Sequence, residues 1–215
     1  MPKIEDKLKK LINRAIYDYK LIEDGDRLLV GFSGGKDSIT ALYGLLERQK
    51  IKPSLNFELA VLHVTTDLSE KSHLENVIKF LESLNVKYFI ENASVIGELQ
   101  DGKSVNCYWC ARLRRKYILK AANDHGYNKI VLGHNQDDII ETFLINTFYK
   151  AELNTIKIFH KYDIFPYSII RPLCLVKEDM IEKFVQKMGF PIVSQVCPYA
   201  KKTKRQEIKN LIDMM

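Results

Sequence analysis

Ser33-Gly34-Gly35-Lys36-Asp37-Ser38 is the densest concentration of chemistry in this chain of 215 residues. It follows an apolar run, Arg27-Leu28-Leu29-Val30, and opens a helical run from Ile39 to Leu46. A strand, a glycine-rich turn and a helix N-terminus together make an anion site, because backbone N–H groups converge there and the helix start adds partial positive charge. Gly34 and Gly35 let the main chain approach a phosphate without a Cβ in the way. Ser33 and Ser38 add hydroxyl donors, Lys36 a cation, and Asp37 a carboxylate suited to hydrated magnesium. The pattern is not the Walker loop: Val30 occupies the first glycine position, and Asp37 stands where that loop has Ser or Thr. Transfer of a γ-phosphoryl group is therefore disfavoured.

A second group of residues offers sulfur and carboxylate chemistry. Cys107-Tyr108-Trp109-Cys110 is a CxxC at a helix start, followed by Arg112, Arg114, Arg115 and Lys116. The i, i+3 spacing puts both sulfurs on one face, near N–H groups and guanidinium ions that lower a thiol pKa. Its context does not fit a thioredoxin-like pair; half of a zinc site and part of an iron–sulfur site both remain open, with Cys174 and Cys197 as further thiols. Asp137-Asp138 opens a helix after Gly133-His134 and reads, from the residues alone, as an N-cap pair for that helix. His134 sits in a tight turn, where a structural role outweighs acid–base work.

These residues need a scaffold, and hydrophobic periodicity supplies one. Ile4, Leu8, Leu11, Ile12, Ala15, Ile16 and Tyr19 recur at helical spacing, so an amphipathic helix is expected up to Asp24-Gly25-Asp26. Strands are expected at 27–30, 57–64, 86–90, 129–132 and 169–173, with helices at 68–84, 107–123, 137–148, 178–187 and 203–212 and a loop at 91–103. Alternating strands and helices imply an α/β fold, a doubly wound, mostly parallel sheet with helices on both faces and its ligands at the carboxyl ends of the strands. The phosphate loop, His63-Val64 and Gly133-His134 all fall at that edge. No repeat or linker divides residues 1–215, so one domain is expected. No run approaches a membrane span and no signal-peptide pattern opens the chain, so a cytoplasmic protein with no membrane partner is expected. The net charge of +6, with basic clusters at 112–116 and at Lys201, Lys202, Lys204 and Arg205, suits RNA phosphate.

The hexapeptide resembles the SGGxDS motif of the PP-loop ATP pyrophosphatases. That resemblance implies that the loop grips the β- and γ-phosphates of ATP while the α-phosphate stays open to attack. A substrate oxygen is then adenylated, pyrophosphate leaves, and AMP is the later leaving group. Further along, Cys107-x-x-Cys110-Ala-Arg-Leu-Arg-Arg, Gly133-His134-Asn135-Gln136-Asp137-Asp138, Arg171-Pro172-Leu173 and Phe190-Pro191-Ile192-Val193 occur in the order seen in tRNA 2-thiolation enzymes. The likeness is greatest to the 2-thiocytidine synthetase group and covers nearly the whole chain.

The resemblance implies ATP, magnesium and a 4Fe–4S cluster as cofactors. Cys107, Cys110 and Cys197 are implied as cluster ligands, and Cys174 is left as a buried core thiol. Ser33, Gly34, Gly35, Lys36, Asp37, Ser38, His63, Val64 and Gly133 are the implied ATP contacts, with His63 and Val64 at the adenine. Asp37 and Asp138 are implied to hold magnesium, and Arg114 to stabilise charge on the α-phosphate. A tRNA cytidine is the implied substrate, with a cysteine desulfurase or sulfide as sulfur donor; a homodimer would suit such a domain. The zinc-finger extensions of the thiouridine branch are absent, and Ser194-Gln195-Val196 precedes Cys197 where the family often has a second cysteine. Two other functions fit the same motifs, an adenylating ligase of the lysidine-forming kind with structural zinc and a nucleotide- and redox-sensing module without turnover.

Overall fold

The structure is a computed structural model describing residues 3–51, 55–67, 71–94, 97, 107–192 and 204–214. The chain runs α1 (Ile4–Asp18), β1 (Arg27–Gly31), α2 (Lys36–Ile51), β2 (Glu58–Thr66), α3 (Lys71–Ser83), β3 (Lys87–Ala93) and α4 (Cys107–Asp124). It continues through β4 (Lys129–Val131), α5 (Gln136–Lys150), β5 (Phe159–Lys161), β6 (Ser168–Ile170), α6 (Glu178–Met188) and α7 (Lys204–Asp213). The six strands order as β3-β2-β1-β4-β6-β5. All neighbours are parallel except β5, which lies antiparallel on β6 at the edge. The expected doubly wound sheet is thus borne out.

Strand alternation divides the core between the two faces of the sheet. Leu28 and Val30 of β1 and Leu59 and Val61 of β2 join a cluster with α1, α2, α3 and α6. Leu29, Ala60 and Leu62 point to the other face, where Leu113, Ala121 and Ala122 of α4 cover them. Two-sided burial explains why these strands read as unbroken apolar runs. The chain winds outward from β1 through β2 to β3, then returns through α4 to place β4 on the other side of β1. The direction of winding reverses at β1, and such sheets bind ligands at that switch point, outside the carboxyl ends of the strands.

Several boundaries differ from expectation. The first helix stops at Asp18 because Lys20 adopts a left-handed φ of 49° well before Asp24. Strand β2 runs to Thr66, two residues past the expected end at Val64, and Glu91–Ala93 belong to β3 instead of a loop, because Val64, Thr65 and Thr66 continue to pair with Glu91, Asn92 and Ala93. The last strand ends at Ile170, since Pro172 has no N–H for a ladder. Strand β5 was not expected; three residues carry too little alternation to read. Residues 68–70 of the third expected helix lie outside the described residues.

Candidate active site

The phosphate loop is built as its residue types require. Gly34 adopts a φ of 77°, left-handed backbone that glycine takes without strain. The Ser38 hydroxyl donates to the Gly35 carbonyl at 2.9 Å and lies 3.2 Å from the Ser33 hydroxyl, which accepts from the Gly35 N–H at 3.3 Å. The two serines therefore hold the turn closed on itself, leaving the start of α2 facing the crevice.

The loop after β4 presses against it. A Cβ added at Gly133 would lie 3.0 Å from the Asp37 carbonyl carbon and oxygen and 3.1 Å from the Ser38 nitrogen. Those neighbours are backbone and yield only if a loop shifts, so only glycine brings the two loops this close. Asn135 then joins them chemically, its side-chain NH₂ donating to Asp37 Oδ1 at 3.0 Å. Asn135 also caps α5, accepting from the Asp138 N–H at 3.0 Å while Asp138 Oδ2 accepts from the Asn135 N–H at 3.0 Å. The capping role considered for the Asp137-Asp138 pair belongs to Asn135, and Asp137 instead accepts from the Glu178 N–H at the start of α6 at 2.7 Å. Three helix N-termini, those of α2, α5 and α6, are thereby tied together around the loop.

Around them the charged groups close into a ring. Lys36 Nζ lies 3.3 Å from Asp37 Oδ2 and 2.7 Å from Glu178 Oε1. Glu178 Oε2 meets Lys209 at 2.6 Å, and Lys209 lies 3.6 Å from Glu141 Oε1. Glu141 Oε2 meets Arg205 Nε at 3.0 Å, and Arg205 also reaches Asp138 Oδ1 at 2.8 Å. Asn135 completes the circuit to Asp37. Burial opposes charge on Lys36, but its bond to Glu178 and the field of Asp37 hold its pKa above the ordinary lysine value. Burial likewise works against ionised Glu178, yet Lys209 and Lys36 pull its carboxyl below the usual range. At Glu141 burial prevails over Lys209 and Arg205 and raises the pKa.

A cavity of about 470 Å³ opens beside the loop, lined by Ser33, Asp37, Ser38, His63, Val64, Arg114, Gly133 and Asp138 among others. Every ATP contact expected from the sequence lines it except Gly34, Gly35 and Lys36, which form its loop. Its apolar wall comes from Leu62, Ile118, Leu119, Ile130, Leu132 and Ile169, a surface suited to a flat base. The last β1–β2 bond runs from the Phe32 N–H to the Leu62 carbonyl at 2.9 Å. Strand alternation then points the Val64 N–H and carbonyl to the β1 side beyond that bond, as base recognition by backbone requires.

The histidines take structural roles. His63 Nδ1 faces the Phe32 carbonyl at 2.9 Å and so carries the proton, while Nε2, beside the His73 ring, is sealed from solvent with no hydrogen-bond partner among the described residues. Burial keeps this imidazole neutral, its pKa lowered. His134 Nδ1 accepts from Arg171 Nε at 3.2 Å, and burial, with Arg171 next, pushes its pKa down to about 4.

Arg205, which the sequence reading assigned to an RNA-binding cluster, turns inward to Asp138 and Glu141. Lys204 lies 4.2 Å from the centre of the Tyr149 ring, and Lys201 and Lys202 lie outside the described residues. Glu178, Lys209 and Glu141 join the site without having been singled out, and Asn135 and Arg171, quoted only within motifs, had been given no role. Only Asn135 carried a local signal, the N-x-x-D pattern of a capping box.

Cys110 is half-buried on α4, four residues before Arg114, and Ala111 between them lines the cavity. Cys174 is 3% exposed, and burial raises its thiol pKa to about 11. That environment suits the inert core thiol expected. Cys197 lies outside the described residues.

Fold and site together define a doubly wound α/β domain with a cavity at a glycine-rich loop that lacks the Walker lysine–hydroxyl pair. The chain belongs to the PP-loop domain family, which matches residues 1–213. It is 35% identical over 216 residues to the tRNA-cytidine(32) 2-sulfurtransferase of Polynucleobacter necessarius, covering 98% of this chain and 70% of that one. To the tRNA-cytidine(32) 2-sulfurtransferase of Alkalilimnicola ehrlichii it is 37% identical over 215 residues, covering 97% and 67%. The resemblance read from the motifs is borne out. Among solved structures, the U34-tRNA thiolase NcsA from Methanococcus maripaludis with its 4Fe–4S cluster shares the fold, with TM-score 0.81, 20% identity, and coverage of 98% and 73%. The NMN synthetase from Francisella tularensis shares it more distantly, with TM-score 0.61, 15% identity, and coverage of 100% and 87%.

Proposed function

We propose that this protein is an ATP-dependent tRNA sulfurtransferase that replaces the C2 oxygen of a tRNA cytidine with sulfur. One observation carries the reading beyond family membership: α4 bears the CxxC in its first turn and Arg114 at the cavity wall one turn later. Sulfur chemistry and nucleotide chemistry thus share a single rigid element. No described helix is long and apolar enough to cross a membrane, and a cytoplasmic enzyme accords with that.

ATP lies with its base against Leu62, Val64 and Ile118 and its β- and γ-phosphates over the loop, where the α2 N-terminus and Lys36 hold them. Pyrophosphate is thereby gripped as a leaving group before any bond breaks. Arg114, always protonated and forked, meets the charge that develops on the α-phosphate as the cytidine oxygen attacks phosphorus. Pyrophosphate departs, AMP remains on C2, and sulfur then replaces it, releasing AMP. Sulfide supplies that sulfur directly; a cysteine desulfurase supplies it as a persulfide, whose S–S bond a thiol reductant then cleaves.

Two cofactors fit the side chains present. Asp37 and Asp138 offer hard oxygen ligands on one cavity wall, tied to each other through Asn135; magnesium held there would neutralise the phosphates. The thiols of Cys107 and Cys110, at helical i, i+3 spacing, fit an iron–sulfur cluster, with Cys197 as third ligand. A 4Fe–4S cluster with three protein ligands supplies one open iron able to carry sulfur.

The test is metal analysis of protein purified without oxygen, followed by incubation with tRNA, ATP and sulfide. About four irons and four sulfides per chain, AMP release and mass-detected 2-thiocytidine are expected. Zinc without iron, with AMP formed but no thiolated base, would transfer the assignment to an adenylating ligase.

A further inference from the structure

The charged ring holds more than the phosphate loop needs. Glu141 is 3% exposed and is met by two cations from α7, Arg205 and Lys209. Burying a carboxylate with partners stabilises a fold little better than an apolar substitute would. Apolar packing already serves α7, whose Ile208 is 3% exposed. The charges therefore do something that packing alone would not, and their geometry shows what. Asp138 Oδ2 is fixed by the Asn135 N–H and Oδ1 by Arg205. Held at both oxygens, the carboxylate has one orientation, and its remaining lone pairs are left for the cavity that Asp138 lines. Lys209 acts alike on the other arm, fixing Glu178, which fixes Lys36.

We infer that α7 is part of the nucleotide site: Arg205 is a positioning residue for Asp138, and Lys209, through Glu178, for Lys36. Neither touches the reacting atoms. The inference rests on the reading of this crevice as a magnesium–ATP site, and it adds a specific role for the C-terminal helix.

Orientation and simple charge balance predict opposite signs, which makes the inference testable. If Arg205 only offset nearby carboxylates, its removal would strengthen magnesium binding, and a lysine would serve equally. If it orients Asp138, both changes weaken binding. The experiment is calorimetric titration of the full chain with ATP, once with magnesium and once with a chelator. Arg205→Gln and Arg205→Lys are each expected to weaken magnesium–ATP binding about tenfold, the scale of coupling between neighbours in one network. Metal-free ATP should bind within about twofold of wild type, and in an Asp138→Asn background Arg205→Gln should add less than about twofold. Glu207→Ala, which removes the acceptor of the tie from α7 to Tyr149 away from the ring, should change neither titration.

Unchanged or tighter magnesium–ATP binding in Arg205→Gln would overturn the inference. So would equal losses with and without magnesium, or a matching loss in Glu207→Ala, since each points to general loosening of α7. Should Arg205→Gln fail to fold, Arg205→Lys alone decides, by the same criteria. Wild-type protein that binds no ATP would overturn the underlying reading and the inference with it.

Discussion

Gly133 shows how one missing atom can make a site. A Cβ there would stand 3.0–3.1 Å from the Asp37 and Ser38 backbone, so one of the two loops would have to give by a few tenths of an ångström. Gly133→Ala must separate the two loops, so nucleotide affinity is expected to fall at least about tenfold, with roughly 1–3 kcal/mol of stability lost to overpacking. Equilibrium denaturation and ATP titration check both. Cys174 stands at the other extreme, buried and chemically silent. Cys174→Ser buries an extra hydroxyl and should cost about 1–2 kcal/mol, while thiolation survives in the intact remainder; Cys110→Ser should do the reverse, abolishing thiolation with ATP binding near wild type. His134 governs the acid side of the stability curve. Its pKa in the folded chain is about 4, below the unfolded value of 6.5, so the unfolded chain takes up the proton first as pH falls. The stability present above pH 6.5 is lost progressively as pH falls toward 4, by up to about 3 kcal/mol. Urea denaturation across that window should show this slope, and His134→Gln should flatten it.

At the scale of elements, α5 is where capping and chemistry coincide. Asn135→Ala removes an N-cap, worth about 1 kcal/mol, and also the bond to Asp37. Its loss of magnesium–ATP affinity should therefore exceed what thermal denaturation alone would suggest. This element also marks how far the sequence could be read. The runs at β1, β2 and β4 and the amphipathic stripes of α1 and α6 were legible, because two-sided burial and helical spacing each leave a local pattern. The phosphate loop was legible because its glycines and hydroxyls are consecutive. Glu178, Glu141, Arg205 and Lys209 were not, since a charged residue on a helix looks solvated until its partner is known, and Lys36 lies 142 residues from Glu178. Strand β5 escaped for a different reason: it exists only by pairing with β6.

For the whole molecule, charge sets the partner. The net charge is +6; Arg205 and Lys209 pair internally, whereas Arg112, Arg114 and Arg115 of α4 are exposed, the last two lining the crevice. Polyanion binding through α4 should weaken with salt, and Arg112→Ala should lower the slope of log affinity against log salt by about one. An unchanged slope would move the tRNA surface elsewhere. The ring has a further consequence, in time rather than space. Lys36 and Glu178 are 142 residues apart, so a ribosome makes the glycines and serines of the phosphate loop long before Glu178, Arg205 and Lys209 emerge. The ring therefore closes only after Lys209 has been made.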